Sequence, residues 1–151
     1  NVQTSEQLME YYGTIPDHVQ WVLVGIAGIS LLVGSVGIMN TMYTAILERM
    51  NEIGVMKSIG AKNSDILLIF LFESGLLGLV GGIIGVLIGI GLSKSVEFIA
   101  VTFGGFDLLK ASLSLYLIFG ALLFSFVIGI ISGTVPAWQA SKLKPVDALK
   151  Q

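Results

Sequence analysis

The 151-residue chain is 54% apolar and only 12% charged, with a mean hydropathy of +0.90, which is too little charge to cover a soluble domain and points to a membrane protein. It has no cysteine, which excludes disulfides, thiolate metal sites and cysteine nucleophiles. One histidine (His18), one arginine (Arg49) and a net charge of −2 offer little to metal, acid–base or nucleic-acid chemistry. The chain opens on Asn1 without a secretory-signal pattern, so we expect it to be the C-terminal part of a longer protein.

In chain order, residues 1–18 read as the end of an extracytoplasmic domain or stalk, with "TSEQ" (4–7) able to cap a short helix ending near Gly13. An uncharged run, Val19 to Leu47, predicts a first transmembrane helix over 19–47. At ~1.5 Å per residue it is about 43 Å long, against a hydrocarbon core of about 30 Å, so it tilts or protrudes. A segment over 48–65 gathers charges and turn residues. A second transmembrane helix is expected over 66–93, with Glu73 its only charge. Residues 94–113 read as an extracytoplasmic loop that packs structurally through Phe98, Ile99, Val101, Phe103 and Phe106. A third transmembrane helix is expected over 114–135, with Pro136 ending it, before a C-terminal segment over 136–151.

The basic residues set a direction. Arg49, Lys57 and Lys62 follow the first span and Lys142, Lys144 and Lys150 follow the third, against Lys94 and Lys110 between the second and third. The bias places 48–65 and 136–151 in the cytosol and residue 1 outside the cell membrane. Tyr11, Tyr12 and Trp21 near one end of the first span, Tyr43 near its other end and Trp138 past the third suit the two interfaces.

Small residues mark packing faces. Ala27, Ser30, Gly34, Gly37, Thr41 and Thr44 recur at steps of three and four along the first span, and the next step is Glu48. The second span carries Gly75, Gly78, Gly82, Gly85 and Gly89, with Gly81 adding a GxxxGxxxG row. Such faces let helix backbones approach in lipid. Glu73 inside the second span must face the bundle or reach the interface. It reads as a hydrogen-bonded anchor to Asn40, Thr41 or Thr44 rather than a proton relay, because no other titratable group lies within a span.

In the charged segment Met50, Ile53, Met56 and Ile59 form an apolar edge, with Glu48, Arg49, Glu52 and Lys57 on the other sides. This predicts a short amphipathic helix stopped at Gly60, then a helix capped by Asn63 or Ser64 with Asp65 in its first turn. Such a helix suits a groove on a partner, while a solvated connector or a helix on the headgroups fits the pattern as well. "GVMKSIGAKN" is not a phosphate loop: alanine stands before Lys62 and Asn63 replaces the required hydroxyl. The chain offers no catalytic set and is not itself expected to be an enzyme.

"GIMNTMYTAILERMNEIGVMKSIGAKNSDILLIFLFES" (37–74) and "VPAWQASKLKPVDAL" (135–149) together resemble MacB/FtsX-type ABC transporter permeases. The resemblance covers about residues 19–150. It implies that this chain supplies the second to fourth of four transmembrane helices and lacks nearly all of a large extracytoplasmic domain. It also implies a dimer of permeases with two ABC ATPases or ATPase domains. ATP and Mg belong to the ATPase, with no cofactor in this chain, and the stroke passes mechanically to the extracytoplasmic side, where a further partner is allowed. The implied ATPase-coupling helix is Glu48–Ala61, with Glu48, Arg49, Glu52, Ile53, Gly54, Lys57 and Gly60 on motif positions and Met56 on the apolar edge. The leading expectation is therefore the permease subunit of an ATP-driven exporter. Alternatives are a regulator that activates an extracellular cell-wall hydrolase, an ion or proton channel, and a passive membrane scaffold.

Overall fold

A long uncharged run crosses lipid most cheaply as helix, because every backbone N–H and C=O is then satisfied within the segment. The computed structural model describes residues 3–104 and 114–143, with side chains at 18–99, 102 and 114–143. These residues form four helices and no strand: α1 (Gln3–Glu48), α2 (Met50–Ser58), α3 (Asn63–Gly104) and α4 (Leu115–Ser141). Three helical stretches are long and apolar enough to cross a membrane, His18–Glu48, Asn63–Ile99 and Leu115–Ser141. The all-α membrane class expected from the sequence is what the structure shows.

The chain divides into two units at Val36. The first is the N-terminal length of α1. No short helix ends near Gly13; the helix continues through Gly13 and Pro16. Glycine stops a helix when it turns left-handed, and Gly60 is where positive φ occurs among the described residues. Trp21, Ile26, Ile29, Leu32 and Val33 are exposed along this unit.

The second unit joins the rest of α1 to α2, α3 and α4. Met42 and Ile46 from α1, Ile53 from α2, Ile66 and Phe70 from α3, and Ala137 and Ala140 from α4 form its buried core. From there α3 and α4 run antiparallel along a seam of small residues. A Cβ on Gly75 would lie 2.7 Å from the Phe126 ring, one on Gly78 would meet Gly129 Cα at 2.9 Å, and one on Gly82 would reach Ser125 Cβ at 2.6 Å. Phe72 and Phe126 close the edge of the seam, ring centroids 6.5 Å apart at 66°, an edge-to-face arrangement.

Two expected boundaries shift. Helix α3 does not end at Ser93 but runs to Gly104. Its added turns carry a Lys94–Glu97 ion pair of 2.8 Å at i,i+3, and the Ser95 and Thr102 hydroxyls donate to the carbonyls of Gly91 and Phe98. Phe98 and Ile99 are exposed, and the remainder of the expected loop, 105–113, lies outside the described residues. Nor does Pro136 end α4, which continues to Ser141. Proline removes one backbone donor but keeps a helical φ, and here the ring is fully buried, as are Gly133 and Ala137 nearby on the helix. Burial of Pro136, Ala137 and Ala140 offsets the missing bond.

Candidate functional site

The charged segment is built from α2 and the two short connections that flank it. Between α1 and α2 only Arg49 departs from the helix, at φ −103° and ψ 17°. Hydrogen bonds cross it on both sides, from Arg49 N–H to the Ala45 carbonyl and from Ile53 N–H to the Arg49 carbonyl, each 3.1 Å. The elbow therefore passes from α1 into α2 with hardly a break in the backbone ladder.

At the other end α2 closes as its sequence predicts. Gly60 adopts φ +101°, its N–H donates to the Lys57 carbonyl, and the Ala61 N–H donates to the Met56 carbonyl at 3.0 Å. That pair of bonds is a Schellman stop, which needs a residue tolerant of the left-handed region. The start of α3 differs from expectation. Neither Asn63 nor Ser64 caps it; the Asp65 carboxylate accepts the Lys62 backbone N–H at 3.0 Å, the return half of a capping box. The expectation failed because α3 already begins at Asn63, so Asn63 and Ser64 lie inside its first turn, and Asp65, three residues after Lys62, is the one placed to reach back.

Helix α2 presents two unlike faces. Ile53 (0% exposed) and Gly54 are buried, and Met56 is half-buried against the same core. Lys57 turns inward, and its Nζ donates to the carbonyls of Ser141, at 2.6 Å, and Leu143. On the opposite side Glu48, Glu52, Val55, Ile59 (80% exposed) and Gly60 are open, with Ala61 half-buried beside them. The residues expected to act together thus separate into a group that fastens α2 and a group that it displays.

Arg49 is exposed, but its guanidinium is engaged. Its Nη1 lies 3.2 Å from Glu73 Oε1 and 3.4 Å from Oε2. Glu73 was expected to find Asn40, Thr41 or Thr44 instead. Those groups are occupied locally or turned away: the Thr41 hydroxyl donates to the Gly37 carbonyl and that of Thr44 to the Asn40 carbonyl, and Asn40 is exposed. A guanidinium neutralises a carboxylate in an apolar setting where an amide only hydrogen-bonds to it.

The predicted packing glycines also divide. Gly75, Gly78 and Gly82 form the α3–α4 seam, whereas Gly34, Gly37, Gly85 and Gly89 have nothing within 4 Å of an added Cβ. Sequence reasoning missed the other half of the seam. Ser125, Gly129, Gly133 and Ala137 recur every four residues on α4, and a Cβ on Gly133 would collide with the Ser74 side chain. That spacing was the available signal. The inward turn of Lys57 had none, because its acceptors are backbone carbonyls 84 and 86 residues away.

The comparisons with known proteins fit this geometry. The FtsX-like permease C-terminal family model matches residues 24–145. The chain belongs to that family. It is 46% identical over 99% of its length to an uncharacterized ABC transporter permease of Methanocaldococcus jannaschii. The identity is 41% over 99% to the uncharacterized ABC transporter permease YknZ of Bacillus subtilis, and 39% over 99% to the macrolide export ATP-binding/permease protein MacB of Bdellovibrio bacteriovorus. The chain spans 37%, 36% and 22% of those three relatives. Residues 24–145 take in α2, its elbow and the α3–α4 seam, so the site described above lies within the family's shared part.

Proposed function

We propose that this chain forms the membrane-embedded C-terminal part of a permease in an ATP-driven transporter of the MacB/FtsX type, and that the outward face of α2 seats an ABC ATPase. The observation that carries the reading is the division of α2. A nine-residue helix is fixed to the bundle by Ile53, Gly54 and Lys57, while Glu48, Glu52, Val55 and Ile59 face away from it. A solvated connector has no need of a buried face, a helix stop and a fixed orientation together. Charged residues around an apolar centre at Val55 and Ile59 suit a protein groove.

The basic residues support a cytosolic α2. Arg49, Lys57, Lys62 and Lys142 lie at that end of the second unit, with Lys94 toward the other end of α3. Trp138 agrees, with the Lys142 Nζ 3.6 Å from its ring centroid, an arrangement suited to the headgroup region. In this reading ATP and Mg are bound by the ATPase, and the chain does no chemistry. Its part is to move. Because hydrogen bonds bridge the Arg49 elbow, displacement of α2 bears directly on α1, and so on the extracytoplasmic side. A second permease copy completes the assembly.

The test is capture. In the full-length permease in native membranes, Ile59→Cys with a short thiol-to-lysine crosslinker is expected to join an ABC-type ATPase identified by mass spectrometry, and Glu52→Lys to reduce that product severalfold. Ready modification of position 59 by cytosolic reagents with no ATPase captured would overturn the docking role. Ile59 is a better probe position than Met56, which packs against the core.

A further inference from the structure

Helix α2 is tied to the bundle by charge at both ends, and the two ties go to different helices. Arg49, the residue before its first turn, reaches Glu73 on α3. Lys57, in its last turn, donates to the carbonyls of Ser141 and Leu143 at the end of α4. Eight residues separate the two, about 12 Å along a helix, and Ile53 sits midway with no exposed surface.

We propose that Arg49 and Lys57 are positioning residues that clamp α2 to α3 and α4, so that a displacement of α2 carries those two helices with it and does not pass along α1 alone. The proposal rests on the reading of α2 as an ATPase seat. Its physical basis is leverage. Buried contacts gathered at the middle of α2, Ile53 and Gly54 with Met56 beside them, act as a pivot: they resist lifting more than rocking. Two ties 12 Å apart on either side of a pivot suppress rocking as well.

Each tie is also costly to break. Glu73 lies ten residues into α3 among Phe70, Leu71, Phe72 and Leu76, where an unpaired carboxylate is strongly disfavoured. The Ser141 and Leu143 carbonyls belong to the end of α4, which lacks backbone donors of its own. One ammonium placed beside them satisfies both and opposes the negative end of the α4 dipole. Lys57 stands at the C-terminal end of α2 too, so the same charge serves two helix ends.

The test uses the full-length permease with its ATPase in lipid nanodiscs, in three measurements. A spin label at Val55→Cys reads the mobility of α2. A fluorophore at Leu92→Cys, exposed far along α3, reads movement there on adding ATP with vanadate. Crosslinking from Ile59→Cys reads docking. Lys57→Met and Glu73→Gln are each expected to raise label mobility at position 55, leave docking intact, and reduce the nucleotide-driven change at position 92 about tenfold. That is a shift of about 1.4 kcal/mol in the populations concerned. Exchanging the pair, Arg49→Glu with Glu73→Arg, is expected to restore mobility and response together, which a variant that merely misfolded would not do.

Unchanged mobility at position 55 in Lys57→Met and Glu73→Gln would overturn the clamp whatever the ATPase does. A freed α2 with the full response at position 92 would overturn its role in transmission. If wild-type protein captures no ATPase at position 59, the seat itself fails and transmission fails with it, while mobility at position 55 still decides whether the clamp exists.

Discussion

Helix α3 is held by two kinds of physics along its length. Near its start, Ile66 and Phe70 enter a side-chain core and Glu73 pairs with Arg49. Immediately after, from Ser74 to Gly82, it lies against α4 through Gly75, Gly78 and Gly82, where an added Cβ would collide with the facing helix. The first region depends on what its residues contribute, and the second on what they lack. Lipid explains the second: apolar helices gain nothing by leaving one apolar medium for another, so they associate where small residues permit close packing. The first region sits where charges gather, and ion pairs and helix-end carbonyls can be used there.

That contrast predicts opposite sensitivities. The largest effect is expected at the seam. Gly78→Leu would place a side chain where even a Cβ meets Gly129 Cα at 2.9 Å, and overpacking of about 3 kcal/mol or more should separate α3 from α4. Loss of a monodisperse species in detergent would register it, and normal melting would dismiss the seam as a structural constraint. Next comes the pivot: Ile53→Ala should cost about 2–4 kcal/mol through lost packing, seen as a lowered melting temperature with proteolytic sensitivity around α2.

Lys57→Met keeps the stem and removes the charge, leaving two carbonyls without their donor. A loss of about 1.5 kcal/mol is expected, with faster amide exchange confined to α2 and the last turn of α4. Exchange spread evenly over the bundle would contradict a local tie. The smallest effect belongs to Gly85→Ala, on the part of α3 with open space beside it. Added helix propensity should raise stability by up to about 1 kcal/mol. A marked loss instead, in the assembled transporter only, would reveal a neighbouring chain on that face.

Much of the architecture was legible because its signals are local. An uncharged run from Val19 to Leu47 can be read without knowing what it touches, and so can a glycine placed to stop α2 at Gly60. The motif around Glu48–Ala61 carried the family resemblance for the same reason. Boundaries were less legible. Pro136 looks like a stop when only its missing N–H is weighed, and becomes acceptable once its ring is buried beside Ala137 and Ala140. Likewise the stretch after Ser93 reads as a loop by its charge, yet a Lys94–Glu97 pair suits a helix surface equally well.

The candidate site shows the limit most clearly. By itself the sequence determined that Glu52, Ile53, Gly54, Met56 and Lys57 share one short helix with Glu48 and Arg49 just before it, since helical periodicity is a property of neighbours. Only the tertiary structure decided which of them face outward. Lys57 is a surface lysine by composition and an inward one by contact, and Arg49 finds its carboxylate 24 residues away. An ion pair or a capped helix end is chosen by whatever group the fold brings within about 3 Å, and that choice depends on how α3 and α4 return past α2.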